Sequence, residues 1–266
     1  MRSSILATFS GKFGDILWAL PAVKALSEKH GEQLDFGIMP EYRKLLPLLS
    51  QQPYIKSAYV IEEWAFQGSP YGDQPWCPPQ QCEIGYSDIY HLTYRVHPMM
   101  QGLNLAQAIS QNAGGVSISA PFIFLEQEWQ WVKSRRNSMI SVGFNPECYA
   151  EKLSFLEQLR SVFRHLSFVR VENETWTDAA QIIKKSTCFF GDMSSLHVLA
   201  LGLGKECFIY EPNPDRRNST TYRSPVGVEK FVDSISAAQT EIQNYVGTLG
   251  RMVQKVSSPQ LSVAQL

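Results

Sequence analysis

Asp15 stands where a side chain can do chemistry. It follows Gly11-Lys12-Phe13-Gly14 at the mouth of an apolar stretch, within FSGKFGDILWALPAVKAL (9–26). A carboxylate at a helix start complements the helix dipole, worth about 0.3–1 kcal/mol. It can also take a proton from a bound hydroxyl. The free N–H groups of such a start attract anions, and Gly11 and Gly14 carry no side chain to block a close approach. Lys12 adds a cation beside them. A second turn, Asp192-Met193-Ser194-Ser195, opens the apolar run Leu196 to Leu203 and places His197 in its first turn. Asp192 there is either a helix cap or a polar group facing a ligand, and His197 either a hydrogen-bonded core histidine or a functional one. Ser, His and Asp all occur, but no G-x-S-x-G turn does, so a serine hydrolase has no support.

Both turns need a strand before them and a helix after them. Ser4 to Thr8 is a short apolar run broken by Gly11 and Gly14, and Ile16, Leu17, Leu20, Val23 and Leu26 then recur at helical spacing. Further strands are expected at 34–39, 57–61 and 87–93, with helices at 41–49 and 103–112. The alternation implies a parallel sheet covered on both faces. It restarts at Met139: strands at 139–144, 167–171, 187–191 and 206–210, the last of the chain, and helices at 149–163, from Thr177 or Asp178 to Lys185, and at 196–203. Residues 211–218 read as a loop, 231–253 as a long amphipathic helix, and the tail beyond Ser257 as frayed. The stretch from Trp64 to Cys82 is rich in proline, glycine and aromatic residues; it reads as a lid or a surface insertion. Residues 121–136 are the expected interdomain crossing. The expected division is 1–130, 137–230 and a crossover helix at 231–256.

The 266 residues suit two domains of modest size. With 44% hydrophobic and 18% charged residues and a formal net charge of −1, the chain is neither disordered nor equipped with a wide nucleic-acid footprint. No stretch has the ~18 continuous apolar residues of a membrane span, and no basic segment with a long apolar run opens the chain. It reads as cytoplasmic, with peripheral membrane contact at most. The five cysteines are an odd, scattered set, unlike a disulfide framework. Cys77, Cys82, His91 and His97 have the atoms for a zinc site, but the short gap between the pairs and the place of His91 in a strand weigh against a metal.

GKFGDILWALPAVKAL and DMSSLHVLALGLG (192–204) resemble, in order and separation, the two signatures of glycosyltransferase family 9, the ADP-heptose:lipopolysaccharide heptosyltransferases; the likeness runs from Ser4 to about Pro214. It implies a GT-B fold: two Rossmann-like domains facing a cleft, with the last helix crossing back to the first. It implies an inverting transferase that moves a hexose or heptose from a nucleotide-diphosphate donor, an ADP-sugar before others, to a glycan or glycolipid hydroxyl, with no metal or other cofactor. Asp15 takes the place of the general base. Ser194, Ser195 and Leu196 begin the helix whose N–H groups would meet the departing diphosphate. Lys152 stands near a family lysine at the donor phosphates, with Lys12 a second candidate, and Trp176 stands where the nucleobase is contacted. Asp192 and His197 complete the donor set. Two departures stand out: only ENETW separates Val171 from Thr177, where the family has a further βα unit with a ribose-binding acid, leaving Glu172 or Glu174 for that role; and Met193-Ser194 replaces a hydroxyl residue and a glycine. The competing expectation is a degenerate module that binds nucleotide or glycan without chemistry, and a third is a structural protein with the aromatic loop as its partner surface.

Overall fold

Strand β1 (Ile5–Phe9) is buried along its whole length because neighbours flank it on both edges and cover both faces. It lies between β2 (Leu34–Ile38) and β4 (Asp88–Leu92), with β3 (Ile55–Val60) outside β2. Every pairing is parallel. Parallel neighbours need crossovers. Helix α1 (Phe13–His30) supplies the first, and a 3₁₀ turn at Pro40–Leu45 followed by α2 (Leu46–Leu49) the second. A further 3₁₀ turn, Gln80–Glu83, precedes β4, and α3 (Leu105–Asn112) follows it. Asn104 caps α3 by accepting the Ala106 N–H at 2.7 Å. The computed structural model describes residues 4–64, 78–93, 102–125, 139–144, 149–219, 221, 223–224 and 228–257.

The second parallel sheet has the order β6-β5-β7-β8-β9. Its elements run β5 (Met139–Gly143), α4 (Tyr149–Val162), β6 (Ser167–Arg170), α5 (Trp176–Lys185), β7 (Cys188–Gly191), α6 (Ser195–Gly202), β8 (Cys207–Tyr210), α7 (Pro214–Asn218), β9 (Glu229–Val232) and α8 (Ile235–Ser257). From β6 the chain crosses straight to the far side of β5. The usual dinucleotide-binding order has one more strand outside that edge, so the brevity of ENETW corresponds to a β6 edge with no further described strand.

Three sequence expectations are corrected. The chain does not end its sheet at β8: β9 pairs with it from Cys207–Glu229 to Tyr210–Val232, so Phe231 belongs to a strand, and the helix begins at Ile235. Residues 211–218 are not all loop, because Asn213 accepts the Asp215 N–H at 2.9 Å and starts the short α7. The cap of α5 is Thr175, whose hydroxyl oxygen accepts from the Asp178 N–H at 3.2 Å; neither Thr177 nor Asp178 caps it. Residues 65–77 of the aromatic loop, most of the 121–136 crossing, Cys77, His97 and the tail beyond Ser257 lie outside the described residues.

One apolar core runs through both halves. It joins Ile5, Phe9 and Phe36 of the first sheet to Val198 and Leu199 of α6 and Ile209 of the second sheet, with α1 packed on α6. The strap 121–125 ties the halves together: the Phe122 and Ile123 N–H groups donate to the Gly202 carbonyl at 3.0 and 2.9 Å, and the Phe124 N–H donates to Gln52 Oε1 at 2.8 Å. A second apolar cluster holds α4 and the start of α8, including Ala238 and Ile242, against the second sheet. Beyond residue 248 the side chains of α8 are outside the described set, so the part of the expected 231–256 crossover helix past that point is too. No helix among the described residues is long and apolar enough to cross a membrane.

Candidate functional site

Ligands of open α/β sheets sit beyond the carboxyl ends of the strands, where the strand order reverses. The reversal falls between β1 and β4 in the first sheet and between β5 and β7 in the second. The turns after β1 and β7 carry Asp15 and Ser194. Topology thus brings the two sequence motifs to facing positions.

Asp15 is half-buried at the third position of α1, and its Oδ2 accepts the Lys12 backbone N–H at 3.0 Å. The carboxylate therefore caps its helix and also lines a cavity of about 300 Å³ with Lys12, Gly14, Ser194, Ser195 and His197. The cap fixes one oxygen at the rim. A Cβ on Gly14 would lie 3.6 Å from Ser195 Cα, an ordinary contact distance, so the two helix starts lie side by side. Gly11 is buried and lines neither cavity of the cleft; its missing side chain leaves space for the Phe9 ring and for Asp15 itself. Ser194 takes the cap position of α6 without capping it, and its buried Oγ has no hydrogen-bond partner among the described residues. A hydroxyl left in that state costs about 1–3 kcal/mol unless something binds it.

A larger cavity of about 760 Å³ opens on the other side of the same turn, lined by Lys44, Glu172, Glu174, Trp176 and Leu196, with Phe13, Ser194 and Ser195 common to both. Trp176 is half-buried and leans on Phe13 with ring centroids 5.2 Å apart; Phe13 in turn meets Tyr42 edge-on at 5.0 Å. Trp176 thus packs on the core and also lines the larger cavity. Burial, with Glu41 and Asp15 close by, pushes the Tyr42 phenol up, so its hydroxyl stays protonated beside the carboxylate.

Lys152 and Asp192 line neither of these cavities and instead pair with each other, ammonium to Oδ2, with little exposure on either side chain. Asp192 is thus not the cap of α6. Breaking such a pair strands a charge, at a cost of roughly 3–5 kcal/mol, whereas replacing both partners is far milder. Lys152→Met should accordingly lower the midpoint of denaturant unfolding markedly, and Lys152→Met with Asp192→Asn should recover most of the loss. Equal stability of single variant and parent would refute the pairing. His197 Nε2 lies 2.7 Å from Glu229 Oε2, both buried, close enough for an ion pair although not aligned as a hydrogen bond.

Sequence reasoning missed Lys44, Tyr42 and Glu229. Lys44 and Tyr42 sit in the 3₁₀ turn after β2, at the carboxyl end of a strand, which was the available signal; Glu229 emerges only with β9. Of the zinc candidates, His91 holds Thr8 Oγ1 at 2.8 Å through Nδ1 and Glu83 Oε1 at 3.0 Å through Nε2. Burial and the nearby Glu63 and Glu83 push the Cys82 thiol up. No group of three metal-ligating residues occurs among the described residues. Cys82, Cys188 and Cys207 are free thiols.

No protein-family profile and no curated protein matches the sequence. Solved structures do share its fold. The iron-containing dodecameric glycosyltransferase TibC of enterotoxigenic E. coli superposes with a TM-score of 0.59 over 95% of this chain and 77% of its own, at 11% identity. A family 9 glycosyltransferase of Veillonella parvula gives 0.54 over 91% and 88%, at 10% identity. The E. coli ADP-heptose lipopolysaccharide heptosyltransferase II gives 0.54 over 94% and 100%, at 13% identity. The chain therefore has parallel α/β sheets in the GT-B-type fold of the family 9 glycosyltransferases and heptosyltransferases.

Proposed function

We propose that this protein is an inverting glycosyltransferase that uses a nucleotide-diphosphate sugar, an ADP-sugar before others, and needs no metal ion. The observation that carries the reading is the shared small cavity, where the Asp15 carboxylate faces the start of α6 across one ligand-sized gap. The acceptor hydroxyl oxygen bonds to the anomeric carbon from one side as the bond from that carbon to the diphosphate oxygen breaks on the other. The hydroxyl proton passes to Asp15, and the electron pair of the broken bond leaves with the nucleoside diphosphate. Charge develops on that leaving oxygen, next to the N–H groups of α6 and the unpartnered Ser194 hydroxyl. The larger cavity, with the flat face of Trp176 and the Glu172 and Glu174 carboxylates, suits the nucleoside. TibC has been solved with ADP-D-β-D-heptose and the E. coli heptosyltransferase WaaC with ADP, which supports the choice of ADP.

A second reading, a nucleotide-binding module without transfer, is favoured by the β6 edge, where the further strand expected beside the ribose has no described counterpart. A panel of ADP-, GDP- and UDP-sugars tests both, first by thermal shift and then by turnover with excess EDTA. The expected result is a rise in Tm with the ADP-sugar, transfer or slow hydrolysis undiminished by EDTA, and an inverted anomer by NMR. A Tm rise without turnover selects the module. No shift with any nucleotide overturns both.

A further inference from the structure

Strands of parallel sheets are covered on both faces and read as near-continuous apolar runs. One face of the first sheet obeys, with Ile5, Ala7, Phe9, Phe36 and Ile38 in the core. The other does not. Residues paired in a parallel ladder share a face, and the register pairs Thr8 with Gly37 and His91, Asp35 with Ser57, and Gly37 with Tyr59. Thr8, His91, Asp35, Ser57 and Tyr59 therefore stand on one face of the first sheet, beside Leu6 and Ile89. Hydroxyls and a carboxylate there are a departure of the kind that marks a functional surface.

Asp35 is the extreme case. It is 1% exposed, its Oδ2 accepts the Tyr86 hydroxyl at 2.9 Å, and its Oδ1 is buried with no partner among the described residues. Because Tyr86 donates to Asp35, the contact of 3.3 Å between the Tyr59 and Tyr86 oxygens is donated by Tyr59. Burial and these bonds push the Tyr86 phenol up and keep it a donor. The trio Thr8–His91–Glu83 is bonded within itself. The Asp35 oxygen is left over, beside a cavity of about 750 Å³ whose lining includes Tyr59, Glu62, Glu63, Gln81 and Tyr86 and, among the described residues, no Lys, Arg or His. That volume suits one small molecule. Glu62 is neutralised by Arg43 at 2.7 Å, which leaves Asp35 and Glu63 as a net negative pair.

We propose that this cavity is a second ligand site, built for a small amine-bearing polyol of the amino-sugar class. An ammonium group supplies the donor that Asp35 Oδ1 lacks and is drawn in by Glu63. Hydroxyls meet the Tyr59 oxygen and the Gln81 amide, and the two phenol rings offer flat faces to a sugar ring and a cation. A nucleotide or phosphorylated ligand is disfavoured by the charge. The cavity shares no lining residue with the cleft around Asp15, so the site stands whether or not the chain is a transferase.

Titration calorimetry with D-glucosamine, N-acetylglucosamine and glucose tests it on the whole chain. Glucosamine should bind about tenfold or more tightly than the other two, since a hydrogen bond to a charged group is worth roughly 1.5–3 kcal/mol. Asp35→Asn should weaken glucosamine about tenfold or more by the same measure, and the exposed Glu63→Gln a few-fold, with the latter loss fading at high salt. Should Asp35→Asn fail to fold, Glu63→Gln decides alone. No glucosamine binding to the parent chain, equal binding of the three sugars, or binding untouched by the folded variants would show a cavity that holds water only and overturn the proposal. None of these outcomes bears on turnover of an ADP-sugar, so the two proposals fail separately.

Discussion

Asp15→Asn is expected to cut glycosyl transfer by about 10²–10⁴-fold, the range over which a positioned base contributes, while the Kd for nucleotide changes little. The amide oxygen can still accept the Lys12 N–H that the carboxylate accepts at 3.0 Å. Shape and cap survive; only the ability to hold the proton is lost. The loss should therefore appear in kcat with little change in Tm. The helix cap sharpens the expectation, because Asn keeps the cap, and a residue with a merely structural role would leave both turnover and Tm unchanged. Retained kcat in Asp15→Asn would remove it as the base.

The second large effect is expected from Gly11→Ala, a change that adds a single methyl group. A Cβ there would lie 2.2 Å from Phe9 Cε1 and 2.4 Å from Asp15 Cβ. Neither neighbour yields easily: Phe9 is fully enclosed in the core and Asp15 is set by its own helix. Relieving such an overlap costs typically about 1–3 kcal/mol, and a reacting group displaced by ~1 Å can lose on the order of 10²-fold in rate. A variant with Tm lowered by several degrees and kcat reduced about 10²-fold in its folded fraction is expected. Gly14→Ala is the comparison, since its Cβ meets Ser195 only at ordinary contact distance. Parent-like Tm and kcat in Gly11→Ala would show that this turn adjusts freely.

The sequence made the strand-turn-helix units legible wherever a short apolar run met a glycine or an acid and then a helical period. Asp15 and Ser194 each sit in such a unit, which is why their elements could be placed to within a residue or two. β9 was hidden because Phe231 and Val232 also fit the helical spacing of the residues after them; only pairing with β8 makes 229–232 a strand, and that is a tertiary cause. Lys44 and Tyr42 share the 3₁₀ turn after β2, where only their place at a strand end could have marked them, and Glu229 meets His197 only through the pairing of β9 with β8. Asp35 was masked in a different way. Its strand, LDFGIM, is apolar enough to read as an ordinary core strand, and nothing short of the register reveals that its carboxylate shares a face with Thr8, Ser57 and Tyr59. Asp192 and Lys152 were both singled out, but for contacts with a ligand; their pairing with each other depends on α4 and the β7 turn meeting in space.

The apolar core that joins Ile5 and Phe36 to Leu199 and Ile209 has a consequence for anyone rebuilding this protein. Donor choice invites exchange of the second half for that of another transferase, as if the halves were separable cassettes. Here the graft would cut through side chains that bury one another, and would also lose the strap bonded to Gly202. A chimera must carry α1, α6 and residues 121–125 as one inherited block, so the unit of recombination cuts across the two sheets instead of falling between them.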